Sequence, residues 1–183
     1  MEWVFFAIIA AAALYMVVVF NGLVRARNLV SAGWADVDVQ LQRRHDLVPR
    51  LVKVVAAYAD HEKETLEAVT AQRNEAIKAQ EIAEKSRREA ELDQSIHRLI
   101  ALAEAYPDLK AGENFERLQQ DLVEIEDDLQ YARRFYNGAV RDYNIRVERF
   151  PDLLAAQAFQ FEQADFFQAE DQARSAPRLG DQP

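Results

Sequence analysis

The stretch FERLQQDLVEIEDDLQYARRFYNGAVRDYNIRVERF, residues 115–150, carries the strongest structural signal in the chain. Its apolar side chains recur in alternating steps of three and four for about five heptads, a spacing typical of a helix whose seam faces other helices. The seam comprises Phe115, Leu118, Leu122, Ile125, Leu129, Ala132, Tyr136, Ala139, Tyr143, Val147 and Phe150. Pro151 ends the predicted helix. Because one helix cannot bury such a seam alone, the stretch predicts an all-α fold built as an elongated antiparallel bundle.

Other segments supply the remaining helices of a bundle with three to four long members. Apolar side chains recur at helical spacing in residues 23–41, 47–76 and 92–106. Pro49 lies near the start of the second segment. It either kinks one continuous rod or follows the start of a new helix that Asp46 caps. Residues 78–91 are charged and lack an apolar stripe, which predicts a solvated helix end or turn.

The N-terminus is dominated by an uncharged apolar run, WVFFAIIAAAALYMVVVF, at residues 3–20. Extended to Val24, the run forms a helix of about 33 Å, which matches the hydrocarbon core of a bilayer. A cleaved signal peptide normally begins with a basic region, whereas this run follows Glu2. We therefore expect residues 1–24 to be an uncleaved transmembrane anchor, residues 25–168 the helical bundle, and residues 169–183 a disordered tail.

Charge is distributed unevenly along the chain, whose net charge is −9. Residues 25–53 carry six basic and three acidic side chains, whereas residues 54–183 carry 16 basic and 27 acidic side chains. The acidic body argues against nucleic acid as a partner, since a binder needs a cationic surface along the phosphates. Arg25 and Arg27 follow the apolar run, and no Lys or Arg precedes it. The positive-inside rule then predicts a single-pass protein with a short N-terminus outside and its body in the cytoplasm.

The residue patterns of familiar catalytic and metal sites are missing. The chain has no Cys, and His61-Glu62 begins like a zinc-protease helix but has Thr65 where the second His is required. Glu-x-x-His pairs, a Gly-x-Ser-x-Gly turn and a glycine-rich phosphate loop are absent as well. We expect no catalytic activity, no metal and no cofactor. A competing metal-binding or enzymatic bundle would use His45, His61 and Glu62.

The block WADVDVQLQRRHDLVP begins at Trp34, which shares a helix face with Val37 and Leu41 and is predicted to be a packing anchor. Arg43 and Arg44 fall largely off that face. One interpretation makes them surface charges paired with acids such as Asp46 or Glu62. The other makes them a site for an anionic partner or for the acidic distal helices.

Two Tyr-Asn pairs, Tyr136-Asn137 and Tyr143-Asn144, stand seven residues apart in the long predicted helix. Both tyrosines belong to the apolar seam, so each asparagine lies beside it. The asparagines either donate hydrogen bonds across the bundle and set its register, or lie on the surface next to a core tyrosine. The sequence leaves both alternatives open.

Several of these blocks resemble the LemA family of bacterial membrane proteins. The similar stretches are Phe20-Asn21-Gly22-Leu23-Val24, WADVDVQLQRRHDLVPRLV from Trp34 to Val52, His61-Glu62, Tyr106-Pro107-Asp108-Leu109-Lys110-Ala111, and residues 126–151 with Ala132-Arg133 and both Tyr-Asn pairs. The resemblance covers roughly residues 20–168. It departs from the family pattern at Phe20, where Tyr is usual, and at Gly33, where Ala is expected.

The resemblance implies an N-terminal membrane helix, a short external N-terminus, a long antiparallel bundle and no defined biochemical activity. Some family members resemble magnetosome-formation proteins, which suggests organising roles at membranes. We therefore expect a scaffold or interaction protein in the bacterial inner membrane, with self-association or protein partners. The alternatives are the metal-binding or enzymatic bundle and an anionic-lipid-binding membrane organiser. The basic residues of the last alternative are Arg43, Arg44, Arg50 and Lys53.

Overall fold

The structure is a computed structural model that describes residues 1–59 and 61–167 of the chain. Every regular element in those residues is an α-helix, so the all-α prediction is confirmed. The helices are α1 Glu2–Ala56, α2 Lys63–Lys78, α3 Ile82–Ala103, α4 Pro107–Lys110, α5 Glu113–Glu148 and α6 Asp152–Ala158. The tail expected at residues 169–183 lies outside the described residues.

Helix α1 joins the apolar N-terminal run to the following segment without a break. The side chains of residues 1–18 are all exposed. Among the described residues, α1 is the one helix long and apolar enough to cross a membrane, judged by length and composition. Its later residues Leu23, Val37 and Leu41 are buried, as their spacing predicts.

Pro49 lies inside α1, so the continuous rod is the alternative that the structure contains. A proline has no N–H, and the carbonyl four residues before it therefore loses its helical hydrogen bond. That carbonyl belongs to His45, and the Nε of Arg73 in α2 donates to it at 2.6 Å. The sequence leaves the role of Arg73 open. In the structure, the guanidinium of Arg73 satisfies the His45 carbonyl that Pro49 leaves without a helical hydrogen bond.

The described residues divide into two compact units, residues 1–37 with 131–166, and residues 38–130 with Phe167. In the first unit α1 and α5 run antiparallel, since Gly33 lies against Tyr136 and Gly22 against Arg146. A Cβ added at Gly33 would lie 3.1 Å from the Cα of Tyr136. Glycine at this position therefore lets the two backbones approach closely.

The core of the second unit gathers apolar side chains from α1 to α5, including Leu51, Leu99 and Phe115. The interpretation of residues 78–91 as a solvated end or turn is wrong beyond the first few residues. Helix α3 begins at Ile82, and its side chains Ser86 and Glu89 are buried. The seam of α3 continues there with polar instead of apolar side chains, which hides it from a hydrophobicity pattern.

The long seam that begins at Phe115 is buried or half-buried through Val147, as predicted. Phe150 is the exception. Helix α5 ends at Glu148, so Phe150 lies past the last helical turn, and it is 74% exposed. A short helix, α6, follows Pro151, and residues 161–167 after it have no regular structure.

Candidate functional site

Arg44 is the largest fully buried side chain, with 1% of its surface exposed. The interpretation of Arg44 as a surface charge is therefore wrong. Its Nη1 donates to Glu126 Oε1 in α5 at 2.9 Å, and its Nη2 donates to Glu89 in α3. His45, the next residue of α1, donates from Nε2 to Glu89 Oε1 at 2.7 Å. We refer to Arg44, His45, Glu89 and Glu126 as the buried ion cluster.

Charge in this cluster persists in spite of burial. Burial by itself raises the pKa of the Glu89 carboxyl, but the hydrogen bond from His45 and the positive Arg44 outweigh it and hold the pKa below its usual value. Burial likewise disfavours the charge on Arg44, yet Glu126 and Glu89 raise the pKa of its guanidinium. Glu89 and Arg44 are therefore an ionised, buried pair at neutral pH.

The cluster connects helices α1, α3 and α5. Arg44, His45 and Glu89 are each less than 5% exposed. Paired buried charges specify which helices meet and in which register, because any other arrangement leaves a charge without its partner. Among the described residues, no three His, Cys, Asp or Glu side chains form a group that could hold a metal ion. His45 is held by Glu89, whereas His61 is exposed.

Arg43 points to the surface of the same unit. Its guanidinium donates to Glu124 at 3.2 Å and to Asp128 at 2.9 Å, both in α5. These acids belong to the distal helices, whereas the nearby acids Asp46 and Glu62 are not its ion-pair partners. The two adjacent arginines thus both form ion pairs with α5. Arg43 pairs with it at the surface, and Arg44 pairs with it from a buried position.

Sequence reasoning missed Glu89. The signal that identifies it is positional: Glu89, Leu92 and Ile96 follow one another at steps of three and four, on the seam that α3 buries. A carboxylate on a buried seam requires a buried cation or hydrogen-bond donor. Arg44 is the charged residue that meets this requirement, but its partner lies 45 residues away in sequence.

In the first unit, three side chains of α5 hold the chain that follows α6. Tyr136 donates its hydroxyl to the Asp165 carbonyl at 2.7 Å, and Tyr143 donates to the Glu162 carbonyl at 2.8 Å. The Asn144 side chain donates to the carbonyl of Ala164 and accepts from its N–H, both at 2.9 Å. We refer to Tyr136, Tyr143 and Asn144 as the Tyr-Asn clamp.

The contacts of Asn144 differ from both roles that the sequence suggests for the two asparagines. Asn144 bonds to the backbone of an irregular segment and neither crosses to another helix nor remains at the surface without a partner. Asn137 is half-buried on the same helix. Burial raises the pKa of Tyr136 to about 12, so its hydroxyl stays protonated as a donor. Because every bond of the clamp is made to a backbone carbonyl or N–H of residues 162–165, the clamp holds this segment irrespective of its side chains.

Trp34 packs against the clamp. Its ring centroid lies 5.4 Å from that of Tyr136. Trp34 itself is half-buried, whereas Tyr136 is completely buried. The packing anchor expected at Trp34 is therefore shared with Tyr136.

A cavity of about 670 Å³ opens in the second unit between the end of α1 and the start of α5. Its lining residues are Arg50, Lys53, Val54, Ala57, Tyr58, Leu109, Gly112, Glu113, Asn114 and Phe115. Two basic side chains thus line the cavity together with the acidic Glu113 and with apolar and aromatic residues. Neither Arg50 nor Lys53 forms an ion pair with another described residue.

In a comparison with protein families, residues 33–180 match the model of the LemA family. The matched range includes the buried ion cluster, the Tyr-Asn clamp and the cavity. The apolar N-terminal run lies before it. No curated protein matches the chain.

Proposed function

The chain belongs to the LemA family, and on this premise we propose that it is a membrane-anchored helical scaffold that binds protein partners and catalyses no reaction. One observation carries the proposal. Helix α1 has exposed apolar side chains over residues 1–18 and continues unbroken to buried residues such as Leu51. An apolar surface of that length is costly in water and is stabilised in a bilayer. An unbroken helix then attaches the body directly to the membrane segment.

Arg25 and Arg27 support a cytoplasmic body, with the N-terminus outside the bacterial cell. Because the chain has no Cys, single reporters at Glu2→Cys or Ala111→Cys give an unambiguous topology assay. An impermeant thiol reagent added to intact cells is expected to label the first reporter and spare the second. Changing Arg25 and Arg27 to Glu is expected to weaken or invert this pattern.

The control for that experiment carries the same charge change elsewhere. Arg87→Glu with Arg98→Glu alters two exposed arginines of the body and is expected to leave the labelling pattern unchanged. Labelling of Ala111→Cys from outside cells that carry otherwise unaltered protein would contradict the cytoplasmic orientation.

The cavity beside α1 offers a place for a partner. Tyr58 lines it and is 51% exposed, so a photo-crosslinking amino acid at this position faces the solvent side. We expect irradiation of native membranes to yield a discrete crosslinked product. Replacing Arg50 and Lys53 with Glu should remove that product, because both charges at the rim are then reversed.

Two controls separate cavity binding from chance collision. The same photo-reactive residue at Val123, which is 62% exposed but does not line the cavity, should not yield this product. Arg87→Glu with Arg98→Glu should retain the product from position 58. Persistence of the product after reversal of Arg50 and Lys53 would exclude the cavity as the binding site.

Lipid binding by the four basic residues Arg43, Arg44, Arg50 and Lys53 is a weaker proposal. Arg44 is buried in the ion cluster, and Arg43 already pairs with Glu124 and Asp128. Only Arg50 and Lys53 are left to meet a headgroup, and they border a cavity with an aromatic floor.

A further inference from the structure

Large apolar side chains are exposed in the short segment that follows α5. Phe150, Leu154 and Phe159 are exposed by 74%, 51% and 52%. Single exposed apolar residues are ordinary on a protein surface, whereas several close together mark a site of interaction, and these three lie within ten residues. We refer to residues 149–159, which include α6, as the foot.

Contacts with α1 locate the foot in the first unit. The ring centroid of Phe159 lies 4.8 Å from that of Phe20, and the ring of Phe161 lies 5.7 Å from it. Just before the foot, Arg146 donates to the carbonyl of Gly22 at 3.1 Å. The foot therefore lies beside residues 20–22 of α1, at the body end of the apolar run.

The depth of the foot follows from the length of that run. Residues 3–18 are exposed on all sides and span about 24 Å as a helix, which is shorter than the hydrocarbon core of about 30 Å. The core therefore extends past Phe20 to about residue 22. A side chain that packs beside Phe20 and is otherwise exposed therefore lies at the depth of the acyl chains.

The antiparallel register places Phe150 at the same level. Gly33 lies against Tyr136, and the Arg149 N–H still donates to the Ile145 carbonyl in helical fashion. Fourteen residues beyond Tyr136 is Phe150, and fourteen residues before Gly33 is Val19. Phe150 is thus level with the last turn of the apolar run.

Two basic side chains follow the apolar run near the foot. Arg25 and Arg27 are exposed, and the Arg27 guanidinium lies 5.1 Å over the ring of Phe161. Aromatic side chains next to arginines suit the boundary between acyl chains and anionic headgroups. We propose that the foot inserts into the lipid interface as a second membrane contact beside α1. This inference rests on the proposed membrane anchoring.

The test measures the depth of single labels in the full chain, reconstituted in vesicles of phosphatidylcholine and phosphatidylglycerol. An NBD fluorophore is attached at Phe150→Cys, Leu154→Cys, Leu14→Cys or Tyr131→Cys. Tyr131 is 65% exposed and lies nineteen residues before Phe150, about 28 Å away along α5, so it is the control for a label in water. Phospholipids with a nitroxide on the acyl chain quench only fluorophores that reach the lipid.

We expect blue-shifted emission and loss of fluorescence at positions 14, 150 and 154, and neither change at position 131. Quenching at position 14, with position 150 or 154 as unquenched as position 131, overturns the foot and leaves the membrane anchor standing. Absence of quenching at position 14 itself overturns the membrane anchor and the foot with it.

Discussion

Replacing Glu89 with leucine is expected to lower the free energy of unfolding by about 3–5 kcal/mol, because it leaves the buried Arg44 guanidinium without a principal counter-charge. His45 loses its hydrogen-bond acceptor in the same step. Denaturant unfolding of the full chain in mild detergent, followed by circular dichroism, measures the change as a lower midpoint at similar slope.

A double replacement distinguishes lost charge pairing from lost volume. Arg44→Leu with Glu89→Leu removes both charges, and apolar replacement of a whole buried ion pair is often nearly neutral. We therefore expect the double variant to recover much of the stability that Glu89→Leu loses, although His45 still lacks its acceptor. Equal destabilisation by the single and double variants would show that the pair contributes no specific energy.

The pH dependence of the free energy of unfolding tests the same ion pair independently. The pKa of Glu89 in the folded chain is below its usual 4.5, so the stability it contributes is complete above about pH 4.5. That contribution is lost as the pH falls through the lowered pKa. Stability of the unaltered chain should therefore drop in acid more steeply than that of the double variant. Identical acid profiles would mean that Glu89 takes no part.

Replacing Tyr136 with alanine is the second change for which we expect a large effect, about 3–5 kcal/mol, because the ring is completely buried. Tyr136→Phe keeps the ring and removes only the hydrogen bond to Asp165, which should cost about 1 kcal/mol. Both variants should speed amide hydrogen exchange in residues 162–165, since the clamp loses one of its bonds. Unfolding curves and exchange rates measure the two effects separately.

Tyr131 is the matched control for this experiment, because it is a tyrosine of the same helix and 65% exposed. Tyr131→Ala should change stability little and leave exchange at residues 162–165 unaltered. If Tyr136→Phe proved as costly as Tyr136→Ala, the hydrogen bond would outweigh the packing that we assign to the ring.

Local periodicity determined most of the secondary structure. The heptads of residues 115–150 predicted α5, and the spacing of Leu23, Val37 and Leu41 predicted the buried face of α1. These signals are readable because a helix repeats every 3.6 residues, so one face is defined by neighbours in sequence. The apolar run at residues 3–20 is a signal of the same kind, since its length and composition are local properties.

Only the tertiary structure decided what the polar residues do. Arg44 and Arg43 are adjacent, yet one is buried against Glu89 and the other is paired at the surface with Asp128. Asn144 binds Ala164, twenty residues away, and its partner has no regular structure that a pattern could reveal. A buried charge or amide is stable only where it has an ion-pair or hydrogen-bond partner. The packing of other helices and loops determines whether that partner lies within reach. Periodicity within one segment contains no information about which residues of other segments lie next to it.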